Sequence, residues 1–244
     1  MTAPEAAAWT PRRVLVVGAH PDDIEFGCGA TVARWARAGA RVHLLVLTDG
    51  SKGSWDPDED IAALVARRRE EQRDAAWTLG AVDVAFLDRV DGELRTGPGE
   101  HADVCEAIRR VAPDTLVGHD PWKRYRLHPD HRAAGELVVD GVVAARDPHF
   151  FPDRGAPHRP ERLLLFEADA PDHVEDAEPG LDAKLAALLC HRSQWRSTMG
   201  IDPDRPDLDA QTRAFADRIR GDAATAGAPF GVPLAETFKL LTPL

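Results

Sequence analysis

The chain has 244 residues, 43% of them hydrophobic, with 41 acidic against 30 basic side chains and a formal net charge of −11. That length can bury a sizeable core in one large α/β domain or two small ones, and no apolar run approaches the roughly 18 residues that a membrane span needs. Nucleic acid and anionic membrane are disfavoured as partners, because both require a basic face for phosphate contacts.

At the N-terminus, MTAPEAAAWTPRR lacks a basic region followed by an apolar one, so no signal peptide is expected and the cytoplasm is the expected location. The run Val14-Leu15-Val16-Val17 has the β-branched richness of a buried strand; it ends at Gly18, just before the polar cluster His20-Pro21-Asp22-Asp23. A helix is expected over 31–38, a second buried strand over 42–48, and a loop rich in acid and turn formers over 49–60. Residues 61–79 carry apolar positions at helical spacing around the charged middle RRREEQR, so a long amphipathic helix is expected there. A strand over 82–87, a turn-rich stretch over 88–100, a helix over about 101–111 and a strand over 114–118 follow. The second polar cluster, HDPWKRYRLHPDH over 119–131, leaves the end of that fourth strand. Beyond it are expected a helix over about 130–145, a strand over 162–167, helices over 181–194 and 211–220, and a loop over 201–209.

Strands alternating with helices at this spacing imply βαβ units and a mostly parallel sheet covered on both faces, hence an α/β protein. We expect one domain over 1–244, with a core of about 12–195 and a helical and loop extension over 196–244. In such sheets ligands bind beyond the carboxyl ends of the strands, which is where both polar clusters fall. Cys28, Cys105 and Cys190 show no C-x-x-C spacing, which argues against a disulfide framework or a cysteine-ligated zinc. Gly27-Cys28-Gly29 lacks the third glycine of a dinucleotide fingerprint.

A lone His-Pro-Asp is usually a capped turn, with proline setting φ and aspartate capping a helix. Two such groups in one βαβ series, each with further ligand-type residues, point instead to a shared metal site. His20 and Asp23, three apart across a turn, can reach one ion, and His131 is the natural third ligand; two histidines and a carboxylate leave an open position, as catalytic zinc requires. Asp22 is then free to act as general base toward an ion-activated water. His128 is placed to stabilise the oxyanion, and Asp130 is expected to hydrogen-bond His128 and keep it protonated. Zinc is the expected ion, with iron(II) or another divalent metal also suited to this donor set.

AHPDD after an apolar strand, together with HPDHRAAG after the fourth, resembles the LmbE-like or PIG-L deacetylase family, and the likeness runs over about 14–194. These enzymes remove acetyl groups from N-acetylglucosamine-containing molecules such as mycothiol and bacilliol precursors. The resemblance implies a Rossmann-like three-layer α/β/α sandwich, a catalytic zinc on His20, Asp23 and His131, Asp22 as base, and His128 assisted by Asp130. It further implies Arg68, in RREEQRDAAWTLG, and Asp91 as substrate contacts, and it leaves His191 either lining the site or packing. Ile24 precedes Glu25 where many members put glutamate directly after the second aspartate, a departure outside the ligand set.

The expected activity is removal of an N-acetyl group from a small amino-sugar conjugate, with a homo-oligomer left open. Two alternatives are amide cleavage in a larger thiol conjugate and a non-catalytic carbohydrate-binding module. A binding module would have no need of Asp22 and His128 beside the metal.

Overall fold

Seven strands form a single sheet in the order β3-β2-β1-β4-β5-β7-β6, in a computed structural model that describes residues 9–244. Of the N-terminal stretch over which no signal peptide is expected, residues 1–8 lie outside the described residues. The strands are β1 (Arg13–Gly18), β2 (Arg41–Thr48), β3 (Asp83–Arg89), β4 (Thr115–His119), β5 (Arg162–Phe166), β6 (His173–Asp176) and β7 (Ala235–Leu241). β1 to β5 pair in parallel, while β7 runs antiparallel to both β5 and β6.

The helices are α1 (Asp23–Arg37), α2 (Ile61–Leu79), α3 (Pro98–Val111), α4 (Pro129–Arg146), α5 (Leu181–Cys190) and α6 (Leu208–Gly227). Alternation along each strand sorts the core into two layers. Leu15, Val17, Leu116 and Leu165 face Ile108 of α3 and Leu137 of α4. Val14, Val16, Val117 and Phe166 face Trp35 of α1, Leu79 of α2 and Ala187 of α5. A smaller cluster, with Leu185, Met199, Phe215 and Ile219, packs α6 onto α5. Among the described residues no helix is long and apolar enough to cross a membrane.

The largest departures from the sequence expectation are in α1, β6 and β7, while α5 stops at Cys190 short of the expected 194 and α6 runs over Leu208–Gly227 beyond the expected 211–220. α1 starts at Asp23, eight positions before the expected 31, because Gly27 and Gly29 act as packing positions on either side of a kink rather than as an end of the helix. A Cβ on Gly27 would lie 2.5 Å from the Phe166 ring. β6 and β7 escape the pattern because they are short or weakly alternating, and 196–244 therefore contributes a strand to the sheet as well as helix and loop.

α1 is broken at Cys28 (φ −153°, ψ 22°), and a buried ion pair occupies the opening. Lys184 Nζ donates to Phe26 O at 2.7 Å, while Glu236 of β7 accepts from Ala30 N (3.1 Å), Thr31 N (2.7 Å) and Lys184 Nζ (2.7 Å). The backbone groups freed by the kink are thus satisfied by side chains. Gly180 packs directly on this kink, and a Cβ there would sit 1.9 Å from Ala30 O. Gly180→Ala is expected to destabilise the protein by about 1–3 kcal/mol. Calorimetry checks this, and an unchanged Tm would contradict the close approach.

Candidate active site

β1 lies between β2 and β4, so the connections reverse direction between β1 and β4. At this switch point the segments leaving the two strands diverge, and a crevice opens at their carboxyl ends. His20, Asp22 and Asp23 leave β1, and His128, Asp130 and His131 open α4. A cavity of about 400 Å³ lies there, lined also by Phe26, Lys52, Arg68, Asp91, Glu167 and Gln194. Trp55, Trp122 and Tyr125 stand exposed on the loops that leave β2 and β4.

His20 Nδ1 lies 3.2 Å from Asp23 Oδ2, His131 Nε2 lies 3.2 Å from His20 Nδ1, and His131 Nε2 lies 3.2 Å from Asp23 Oδ1. Tetrahedral zinc with bonds of about 2.0–2.2 Å sets its ligand atoms about 3.3–3.6 Å apart, close to these spacings, with His20 and His131 facing different oxygens of the Asp23 carboxylate. The far nitrogen of His20 is held as metal-ligating imidazoles are held: Nε2 is 3.1 Å from Asp130 Oδ2 and 3.2 Å from Asp91 Oδ1. The groups of donor atoms that lie within 4.8 Å of one another are His20, His128 and His131; Asp23, His119 and His131; and His20, Asp91 and Asp130.

Asp22 is the residue whose backbone pays for its place. It caps α1 at φ 97°, a left-handed conformation that costs a non-glycine residue about 1–3 kcal/mol. Gln72 Oε1 accepts from its amide at 2.9 Å, and Gln72 Nε2 donates to Glu25 at 2.7 Å. Burial pushes the Asp22 carboxyl up to about 6, against the opposing charge of Arg68. It lines the cavity together with His20, Asp23 and His131.

Asp130 corrects one expectation. Its carboxylate accepts from Gly92 N (2.6 Å) and Leu94 N (3.2 Å) and reaches His20; its link to His128 is through its own backbone N–H, which donates to His128 Nδ1 at 3.3 Å. The physical reason is the start of α4: His128 is the N-cap, so its ring turns back to accept from the first turn. Burial, with the neighbouring His20 and His131, lowers the pKa of His128 below the ordinary value, while the charges of Asp130 and Asp91 raise it, and the lowering prevails. The same network keeps Asp130 ionised: against burial, His20 and the Gly92 amide hold its carboxyl below the usual range.

Arg68 is buried and lines the cavity, but its guanidinium donates to Gly50 O (2.8 Å) and Pro21 O (2.7 Å) and approaches Asp22 Oδ2 (3.4 Å). Asp91 accepts from Lys52 N at 3.0 Å through one oxygen and faces His20 with the other. Both therefore brace the ligand turn as well as facing the cavity. His191 is fully buried beside Glu25 (3.6 Å) and does not line the cavity. His119 is the residue that sequence reasoning left without a role. It is the last residue of β4, and its position at a central strand's carboxyl end was the available signal.

Residues 15–142 match the family described as PIG-L, GlcNAc-PI de-N-acetylase. The diacetylchitobiose deacetylase of Thermococcus kodakarensis is 34% identical over 190 residues, 75% of this chain and 70% of that protein. A 1D-myo-inositol 2-acetamido-2-deoxy-alpha-D-glucopyranoside deacetylase of Thermomonospora curvata is 31% identical, covering 76% of this chain and 81% of its own length. In structure, the N,N'-diacetylchitobiose deacetylase of Pyrococcus horikoshii, solved with its inhibitor MPG, aligns over 95% of this chain and 84% of its own, with a TM-score of 0.84 and 27% identity. With a matching family profile over more than half its length and relatives of this identity and coverage, the chain belongs to the PIG-L family.

Proposed function

We propose that this protein is a zinc-dependent N-deacetylase that hydrolyses the acetamide of an N-acetylglucosamine-type conjugate. The observation that carries this reading is the ligand triangle of His20, Asp23 and His131, with 3.2 Å edges, beside a buried carboxyl that remains outside it. That carboxyl is Asp22. The enzyme is a hydrolase acting on an amide C–N bond, as its relatives' deacetylase names support. A cavity of about 400 Å³ suits a small sugar conjugate.

A divalent ion on the three donors would polarise the acyl oxygen and bring the pKa of a water from 15.7 toward about 7. Asp22 takes the proton of the attacking water, for which its elevated pKa of about 6 makes it a better acceptor than an ordinary aspartate. As the C–N bond breaks, that proton passes to the leaving amine. His128 accepts the Asp130 N–H on Nδ1, so its neutral ring carries the proton on Nε2 and donates it to the oxyanion. Asp130 and Asp91 hold His20 in the tautomer that frees Nδ1. Arg68 and Asp91 line the cavity and are assigned contacts to the sugar.

The test is incubation of the zinc-loaded protein with a panel of N-acetylglucosaminyl conjugates, read by mass spectrometry. Free acetate with one preferred member is expected, and no acetate from any member would sink the proposal. Within an active enzyme, His128→Ala is expected to lower turnover roughly 10²–10³-fold with unchanged metal content, the usual loss for one oxyanion donor. Undiminished turnover removes His128 from the role.

A further inference from the structure

His119 is almost completely buried at the end of β4, and nothing in the reaction above uses it. Its Nε2 lies 3.2 Å from Asp23 Oδ2, an oxygen that also accepts from His20 N at 2.7 Å. On the far side of the ring, Arg126 Nη1 sits 3.3 Å from His119 Nδ1 and 3.1 Å from His131 Nδ1. Arg126 is itself held by Glu167, whose Oε2 accepts from Nη1 at 2.7 Å and lies 3.5 Å from His119 Nδ1.

Two further facts show that this arrangement is built. Glu167 follows β5 at φ 53°, a left-handed conformation that persists in a non-glycine residue only where its surroundings fix it. The Arg126 side chain is 5% exposed and carries two nitrogens without a partner, a cost tolerated for what its third nitrogen does.

With an arginine N–H directed at Nδ1, the His119 ring carries its proton on Nε2, where it donates to Asp23. In the other tautomer Nε2 would instead accept from the Ala19 amide, 3.3 Å away, so the Arg126 N–H at Nδ1 is what turns this nitrogen into a donor toward Asp23. Two donors, one from the turn after β1 and one from the end of β4, thus converge on one oxygen of Asp23, and the carboxylate cannot rotate freely. We propose that His119, oriented by Arg126 and Glu167, is a positioning residue that fixes the Asp23 carboxylate and thereby sets the affinity of the site for its divalent metal. The inference rests on Asp23 being a ligand, as assigned above.

Outer partners of metal ligands are typically worth 10–100-fold in affinity. The experiment measures Zn²⁺ affinity of the full chain by chelator competition, and the visible absorption of the Co²⁺ form, for four variants. His119→Phe removes the donor at similar volume and is expected to weaken Zn²⁺ binding about 10–100-fold. His119→Gln, whose amide N–H can reach nearly the same point, is expected to recover most of the loss and to keep the Co²⁺ spectrum. His119→Asn is too short to reach Asp23, and it reads the same loss should the phenylalanine variant fail to fold. Asp23→Ala tests the underlying assignment.

Parent-like affinity in His119→Phe or His119→Asn, with weakened binding in Asp23→Ala, overturns the positioning role alone. A glutamine variant as weak as phenylalanine, with an altered Co²⁺ spectrum, makes His119 a ligand and also overturns it. Unchanged binding in Asp23→Ala removes the ligand assignment and the inference with it.

Discussion

Asp22→Ala is expected to bind metal as the parent does and to lose turnover by roughly 10²–10⁴-fold, the contribution of a positioned general base. The separation of the two readouts follows from geometry. His20, Asp23 and His131 meet one another at 3.2 Å, whereas Asp22 reaches the cavity from the turn beside them and is held by Gln72 through its amide. Because Asp22 stands at φ 97°, Asp22→Asn is the cleaner variant: asparagine tolerates the left-handed region and keeps the size of the side chain, while it cannot take a proton. Both variants should dialyse with parent-like metal content. Near-normal turnover in the asparagine variant would remove Asp22 from the base role.

His131→Ala is expected to do the opposite and lose the metal itself. It deletes one corner of the triangle and leaves His20 and Asp23 as a two-donor remnant. The loss in affinity should exceed the 10–100-fold that an outer partner is worth, and activity should fall with it. Elemental analysis after dialysis decides the matter, and a parent-like zinc content would reject His131 as a ligand. The fold should survive, since His131 is only half-buried in the first turn of α4 and contributes little to either core layer.

The parallel half of the molecule was legible because its signals are local. The apolar runs at 14–17 and 42–48 and the amphipathic stretch at 61–79 lie within β1, β2 and α2, with α2 bounded by Ile61 and Leu79 as expected. The same locality brought His20, Asp22, Asp23, His128 and His131 together, since each stands next to a strand end or a helix start. What escaped depends on partners distant in sequence. Asp130 reads as a neighbour of His128, yet its carboxylate goes to His20, 110 residues away, because the helix start turns it inward. β7 carries the modest pattern AETFKLL and becomes a strand because β5 offers it an edge. Gly27 and Gly29 look like helix breakers until Phe166 and Lys184 are seen packed against them.

The ion pair seated in the kink of α1 has a consequence for the chain as a working unit. Glu236 comes from the last strand, yet it satisfies two amides in the middle of the helix whose first residue is Asp23, together with the ammonium of Lys184 on α5. Trimming the protein behind the stretch that carries all the proposed chemistry would strand those donors, at about 1–3 kcal/mol for each. The catalytic half of the sequence is therefore not a minimal enzyme: its tail is the fastener on which the geometry of its opening turn depends.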